Sequence, residues 1–187
     1  MSDFPPCLAF TLAEEGGYQC MQTDPGNWST GVCNYGTLVG TCRGISAPVL
    51  GAWLGPERID ALTPAYMQAL PQSIAGSIYG AQYWLPCGGP QLPAGVDLMV
   101  FDHAVNAGVR SSVRLLQSAV GAAPDGYMGP QTLAAVRHAA PGVLIDFLAR
   151  MQDQAYHAMP AAEHFLNGWL ARLKRRQTAA HRLLAAG

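Results

Sequence analysis

The chain has little charge. Only 12% of its 187 residues are Asp, Glu, Lys or Arg, and these nearly cancel to a formal −1. That balance gives no global attraction to nucleic acid or to an anionic membrane. No apolar run approaches the roughly 20 residues that a bilayer-spanning helix needs. Cysteine stops at Cys87, no C-x-x-C occurs, and no histidine pair stands near the five thiols, so their spacing fits no zinc site. H-E-x-x-H, G-x-S-x-G and the P-loop are also missing, which disfavours zinc amidase or endopeptidase, serine-hydrolase and nucleotide chemistry. A Cys/His peptidase built on Cys20 or Cys87 lacks a recognisable nucleophile context. No metal and no cofactor is expected. The opening "MSDFPPCLAF" has an acid and two prolines but no basic stretch, unlike a Sec-type signal peptide.

What is present is a hydrophobic chain, 50% apolar, long enough to bury a core and too apolar for disorder. The pattern is mostly helical, broken by glycine and proline. Apolar residues at Phe4, Leu8 and Leu12 predict a helix over 4–15, which Gly16-Gly17 would end as a C-cap. Residues 18–46 are glycine-rich without helical period and read as a loop with a short β-hairpin. Thr63-Pro64 has the form of an N-cap followed by proline at the first helical position. Helices are predicted over 64–70, 72–84, 97–107, 111–120, 130–139, 142–159 and 161–184. "LPCGGPQLPAG", Leu85 to Gly95, is the best boundary, giving regions 1–88 and 89–187 packed as one compact unit.

The chemistry concentrates in "LAEEGGYQCMQTDPGNW", Leu12 to Trp28. A carboxylate at a helix C-terminus faces the negative end of the macrodipole, which disfavours its ionised form. Glu15 occupies that place, and a protonated carboxyl is what general-acid cleavage of a glycoside requires. Asp24 follows on the loop, where solvent and backbone donors keep a carboxylate ionised. Such a pair can protonate a leaving oxygen and activate water. The plainer reading of the same residues is two solvated acids at a helix end and an Asp-Pro-Gly turn.

"EEGGYQCMQTDPGNWSTG", followed by "GTCRGIS", resembles the signature of glycoside hydrolase family 108, which comprises phage and bacterial N-acetylmuramidases of lysozyme-like fold. "FDHAVNAGVRSSVRLLQSAVG", "DGYMGPQTLAAV" and "FLNGWLARL" resemble the helical peptidoglycan-binding domain that accompanies this family. Together these motifs run from about Leu8 to Arg175 in the expected order. The resemblance implies a mainly α, lysozyme-like fold and a peptidoglycan hydrolase cleaving the β-1,4 bond between N-acetylmuramic acid and N-acetylglucosamine. A lytic transglycosylase and a non-catalytic peptidoglycan-binding protein are the alternatives. It places the acid at Glu15, with Glu14, about 100° around the helix, a bystander. Asp24 falls on the family's loop aspartate, as base, water positioner or loop-stabilising acceptor. Thr41, and less directly Thr30, are candidates to hold the water.

The loop between Asp24 and Gly44 is longer than in the shortest family members, and Asn27-Trp28 stands where a second glycine and a small residue are frequent. Cys33 and Cys42 bracket "CNYGTLVGTC" and either close it as a disulfide or remain buried thiols. Tyr18, Trp28 and Trp84 are candidates to stack on sugar faces, and Asn106, one turn after Asp102, to line the groove or join a polar network. "DGYMGPQT" (Asp125, Gly126, Gly129, Pro130, Thr132) reads as architecture. The basic run Arg172, Lys174, Arg175, Arg176 and Arg182 is a solvated face or an attachment point for an anionic cell envelope. The expected partners are peptidoglycan strands and, for a secreted antibacterial effector, an immunity protein; a phage endolysin needs none. Either setting implies cytoplasmic synthesis without a Sec signal and action in the periplasm or on the cell wall.

Overall fold

The computed structural model describes residues 3–56, 58 and 62–187, and the chain divides into two compact units. One comprises Thr11–Tyr79. The other joins the residues up to Phe10 with Gly80–Gly187. The division falls at Tyr79/Gly80, so the expected boundary at 88/89 lies inside the larger unit.

Helix α1 (Phe4–Glu14) opens with Pro5 and Pro6 in its first turn, where no backbone N–H is needed for the helix ladder. It closes with the Glu15 N–H donating to the Thr11 carbonyl at 3.0 Å. Gly16 and Gly17 do not act as left-handed caps, for neither has a positive φ. In the smaller unit, α2 (Ala47–Leu54) starts with proline in its first turn and stops at Gly55, φ +87°. The sequence pattern did not predict this helix. Helix α3 (Pro64–Gln68) is capped as expected, with Thr63 Oγ1 accepting from the Tyr66 N–H at 3.2 Å. Helix α4 (Gln72–Tyr79) is shorter than predicted, because Gly80–Trp84 widens into a π-helical turn.

Among the described residues the chain has no strand. The glycine-rich segment is held instead by three isolated antiparallel bridges, Gln19 to Thr41, Trp28 to Leu38, and Cys42 to Ile45. The expected hairpin is therefore reduced to single paired residues.

The larger unit is built around α5 (Val96–Ala107). Its first nine residues are buried, so it is surrounded on all sides rather than amphipathic. Helices α6 (Val109–Ala119), α8 (Pro141–His157) and α9 (Ala162–Ala186) pack on it, and α7 (Pro130–His138) precedes α8. Asp97 starts α5: its Oδ1 accepts from the backbone N–H groups of Gly95 (2.8 Å) and Leu98 (2.7 Å). Gly95 has φ +82°, and a side chain there would strike the Ala180 carbonyl of α9. Deep in this core, Asp102 accepts a fork from Arg172 (Nη2 to Oδ1, 2.7 Å) and a bond from Arg176 (Nε to Oδ2, 2.7 Å). Arg176 also donates to Gln152 Oε1 at 2.6 Å.

Candidate active site

Both candidate acids, Glu15 and Asp24, lie in the smaller unit. Glu15 follows the last turn of α1, and Asp24 begins a short 3-10 turn, Pro25–Asn27. Between them Gln19 pairs with Thr41 through two backbone bonds of 2.9 and 2.8 Å. One residue further along, Cys42 and Ile45 exchange both of their backbone bonds, at 3.1 and 2.8 Å. Arg43 and Gly44 at the tip have φ of +52° and +73°. Positive φ at both central residues is the mark of the tight two-residue hairpin turn. Arg43 bears the strain of a side chain in the left-handed region, an arrangement that clusters at functional sites. Its carbonyl accepts from the Tyr79 hydroxyl at 2.9 Å, which anchors the turn to the end of α4.

Glu15 is only partly exposed, and its carboxyl lies against this turn. A Cβ on Gly44 would sit 2.9 Å from Glu15 Oε2 and would collide with the Tyr79 hydroxyl. Glycine at this position thus meets two requirements, the backbone angle and the approach of the carboxyl. The Glu15 carboxyl, expected at a helix end, thus lies against the Gly44 turn and is partly buried.

Asp24 is occupied differently. Its Oδ1 accepts from the Gly26 N–H at 2.8 Å and its Oδ2 from Gln19 Nε2 at 3.0 Å. Gln19 Oε1 accepts in turn from Asn27 Nδ2 at 3.0 Å, and the same nitrogen reaches the Met21 carbonyl at 3.0 Å. Asn27 is fully buried, and its carbonyl takes the N–H groups of Val39 (2.8 Å) and Gly40 (2.9 Å). Asp24, Gln19 and Asn27 form one clasp that fixes the loop. Of the three roles open to Asp24, this geometry supports the loop-stabilising acceptor.

Thr41 directs its hydroxyl to the Gly26 carbonyl at 3.4 Å, and Thr30 gives its own to the Tyr35 carbonyl at 2.6 Å on the exposed loop. Tyr18 lies over Gly40 and donates to the Val39 carbonyl at 3.1 Å. Its phenol is pushed up to about 12, first by its hydrogen bond with the Cys20 thiol and then by desolvation. Trp28 is half-buried with its indole N–H on the Gln22 carbonyl at 2.9 Å, which leaves ring carbon as its contact surface.

Two candidates fall elsewhere. Trp84 belongs to the larger unit, where it is 5% exposed and packs on Phe4 and Phe101 with ring centroids 5.1 and 5.6 Å away. It is a core residue, not a sugar platform. Asn106, also in the larger unit, is exposed and donates to the Asp102 carbonyl of its own helix at 2.7 Å. Cys33 and Cys42 are not bridged in this structure, where all five cysteines are free, with Cys42 buried and Cys33 part-exposed on the loop. Among the described residues, no three metal-ligating side chains gather. Tyr79, Gly44 and Gln19 are the contributors that the sequence did not single out. Tyr79 stands 64 positions after Glu15, and no spacing rule connects them.

Comparison with known proteins places the chain in a family. Residues 8–108 match the family model Glycosyl hydrolase 108, and residues 111–174 match a predicted peptidoglycan domain. A solved structure, SagA of Brucella abortus, superposes with a TM-score of 0.77 at 31% identity, covering 97% of this chain and 95% of that one. No curated protein matches. With more than half its length inside the family model and a likeness to a solved structure over nearly all of it, the chain belongs to glycosyl hydrolase family 108 and is a glycoside hydrolase directed at peptidoglycan.

Proposed function

We propose that the enzyme is an N-acetylmuramidase that cleaves the β-1,4 bond between N-acetylmuramic acid and N-acetylglucosamine, with Glu15 as proton donor. The observation that carries this reading is the Glu15 carboxyl held at a helix end against the Arg43-Gly44 turn. Glu15 protonates the bridging oxygen as the C1–O bond breaks, and its electron pair leaves with that oxygen. The muramyl C1, now oxocarbenium-like, is captured by water, whose proton passes to the carboxylate left on Glu15 and restores the acid. Asp24 acts from behind, by keeping the loop in shape, and Thr41 lies beside it to orient the water. The ring faces of Trp28 and Tyr18 border the substrate.

Asp24 also favours a second reading. Both its oxygens already accept from loop donors, so a second carboxylate for activating water is not at hand. A lytic transglycosylase needs none: the carboxylate left on Glu15 takes the proton from the muramyl C6 hydroxyl, which closes a 1,6-anhydro ring. Mass spectrometry of digested muropeptides separates the two, because the anhydro product is lighter by one water.

Glu15→Gln is the direct test. It should abolish lysis of purified sacculi without changing the melting temperature, and unaltered lysis would defeat the assignment. The bond lies in the periplasm or cell wall. The enzyme reaches it as a phage endolysin or as an antibacterial effector, and a cognate immunity protein that blocks lysis would establish the second setting.

A further inference from the structure

The run of cations on α9 looks uniform in the sequence, yet the structure sorts it into two sets. Arg176 is fully buried and Arg172 nearly so, and both spend their charge on Asp102 inside the larger unit. Lys174, Arg175 and Arg182 are exposed and line a groove of about 550 Å³ together with Phe10, Ala171, Thr178 and Ala179. No acid lines this groove. Among the described residues, neither Lys174 nor Arg182 forms an ion pair.

Residues 171, 174, 178 and 182 recur at helical spacing along one face. Lys174 and Arg182 are therefore separated by eight residues, or about 12 Å of helix rise. Phe10 and the two alanines supply an apolar floor beneath this cationic rim. An extended ligand that alternates methyl groups with single negative charges suits both features.

We infer that this groove binds the stem peptides of peptidoglycan, whose alanine methyls meet the floor and whose carboxylates meet Lys174, Arg175 and Arg182. The inference rests on peptidoglycan as the substrate. A phosphate polymer would satisfy the rim and leave the apolar floor unused. A lipid surface calls for a protruding apolar wedge, whereas Phe10 is only partly exposed. Ala171 and Lys174 lie inside the predicted peptidoglycan domain, and the groove extends past its end at residue 174 to Arg182.

The test uses the full-length triple variant Lys174→Gln/Arg175→Gln/Arg182→Gln. Co-sedimentation at low salt should show about tenfold weaker binding to peptide-bearing sacculi, with the gap closing as ionic strength rises. Binding to peptide-free glycan strands, and their cleavage, should match wild type. Equal loss on peptide-free glycan, or no loss on sacculi, overturns the inference. So does a larger loss on phosphatidylglycerol vesicles than on sacculi. Arg182→Gln alone, at an exposed position, should give about a threefold loss and guards against misfolding of the triple variant. Failure of the Glu15 assignment would appear instead as unaltered lysis by Glu15→Gln, with the binding comparison intact.

Discussion

Replacing Gly44 with alanine puts a single carbon atom where two side chains already meet. The residue is held at φ +73° by the exchanged bonds between Cys42 and Ile45, so the methyl group cannot be avoided by relaxing the turn. The left-handed backbone alone costs an alanine about 1 kcal/mol. The new Cβ also lies 2.9 Å from Glu15 Oε2, against an ordinary contact of about 3.5 Å. The carboxyl must therefore retreat by roughly half an ångström or more, and the Tyr79 hydroxyl must yield as well. A loss of about 1–3 kcal/mol corresponds to a melting temperature lower by roughly 2–12 °C for a chain of this size. The protein stays folded at 25 °C, but the acid is displaced. Misplacement of a reacting group by about 1 Å costs on the order of 100-fold in rate. Dye release from labelled sacculi should show kcat falling by about that factor while KM changes little. Gly16→Ala is the control: a Cβ there meets nothing within 4 Å and the backbone is not left-handed, so stability should hold. If Gly44→Ala melts earlier but cleaves at the wild-type rate, Glu15 is not the acid that this turn positions.

Three further outcomes follow from the same geometry. Asp24→Asn keeps an oxygen for the Gly26 N–H and should retain activity within about tenfold, whereas Asp24→Ala should lose far more; equal, near-total loss in both would make Asp24 the base. His103 is buried and its pKa is pushed down to about 3, chiefly by desolvation and then by Arg176, against the opposing pull of Asp102. Below pH 6.5 the unfolded chain binds a proton that the folded chain refuses. Stability should therefore be fully present above pH 6.5 and fall as pH drops toward 3, by up to about 1.4 kcal/mol per pH unit. Urea melts of His103→Phe should lack that component. Asp102→Asn leaves Arg176 buried without its counter-charge and should cost about 3–5 kcal/mol, read by denaturant unfolding.

Helices with one apolar face and a cap were legible in the sequence: α3 announced itself through Thr63-Pro64, and α8 and α9 through their spacing. Helix α2 was not, because "APVLGAWL" is apolar throughout and has no polar face to set a period. The break at Gly80 was also hidden, since a π turn keeps much the same residue types as an α turn. The place of Glu15 at a helix end was legible because a helix that stops beside two glycines is a local event. The turn it rests on, Tyr79 behind that turn, and the Gln19 clasp depend on partners distant in the chain. Trp84 was misread for the same reason, as its neighbours Phe4 and Phe101 lie far away in sequence. The α9 cations show the limit most plainly: "RLKRR" does not say that two of its arginines turn inward to one carboxylate.

The clasp that shapes the Asp24 loop is made of amides and a carboxylate, with no sulfur in it. Cys87 is buried and its thiol is pushed up to about 12, first by desolvation; burial likewise pushes the Cys7 thiol well above its usual range. Neither offers the thiolate that exchange chemistry needs. The hydrogen bonds of the clasp themselves do not depend on the redox state of the surroundings. Cys20 and Cys33, by contrast, leave free thiols at the surface of that loop.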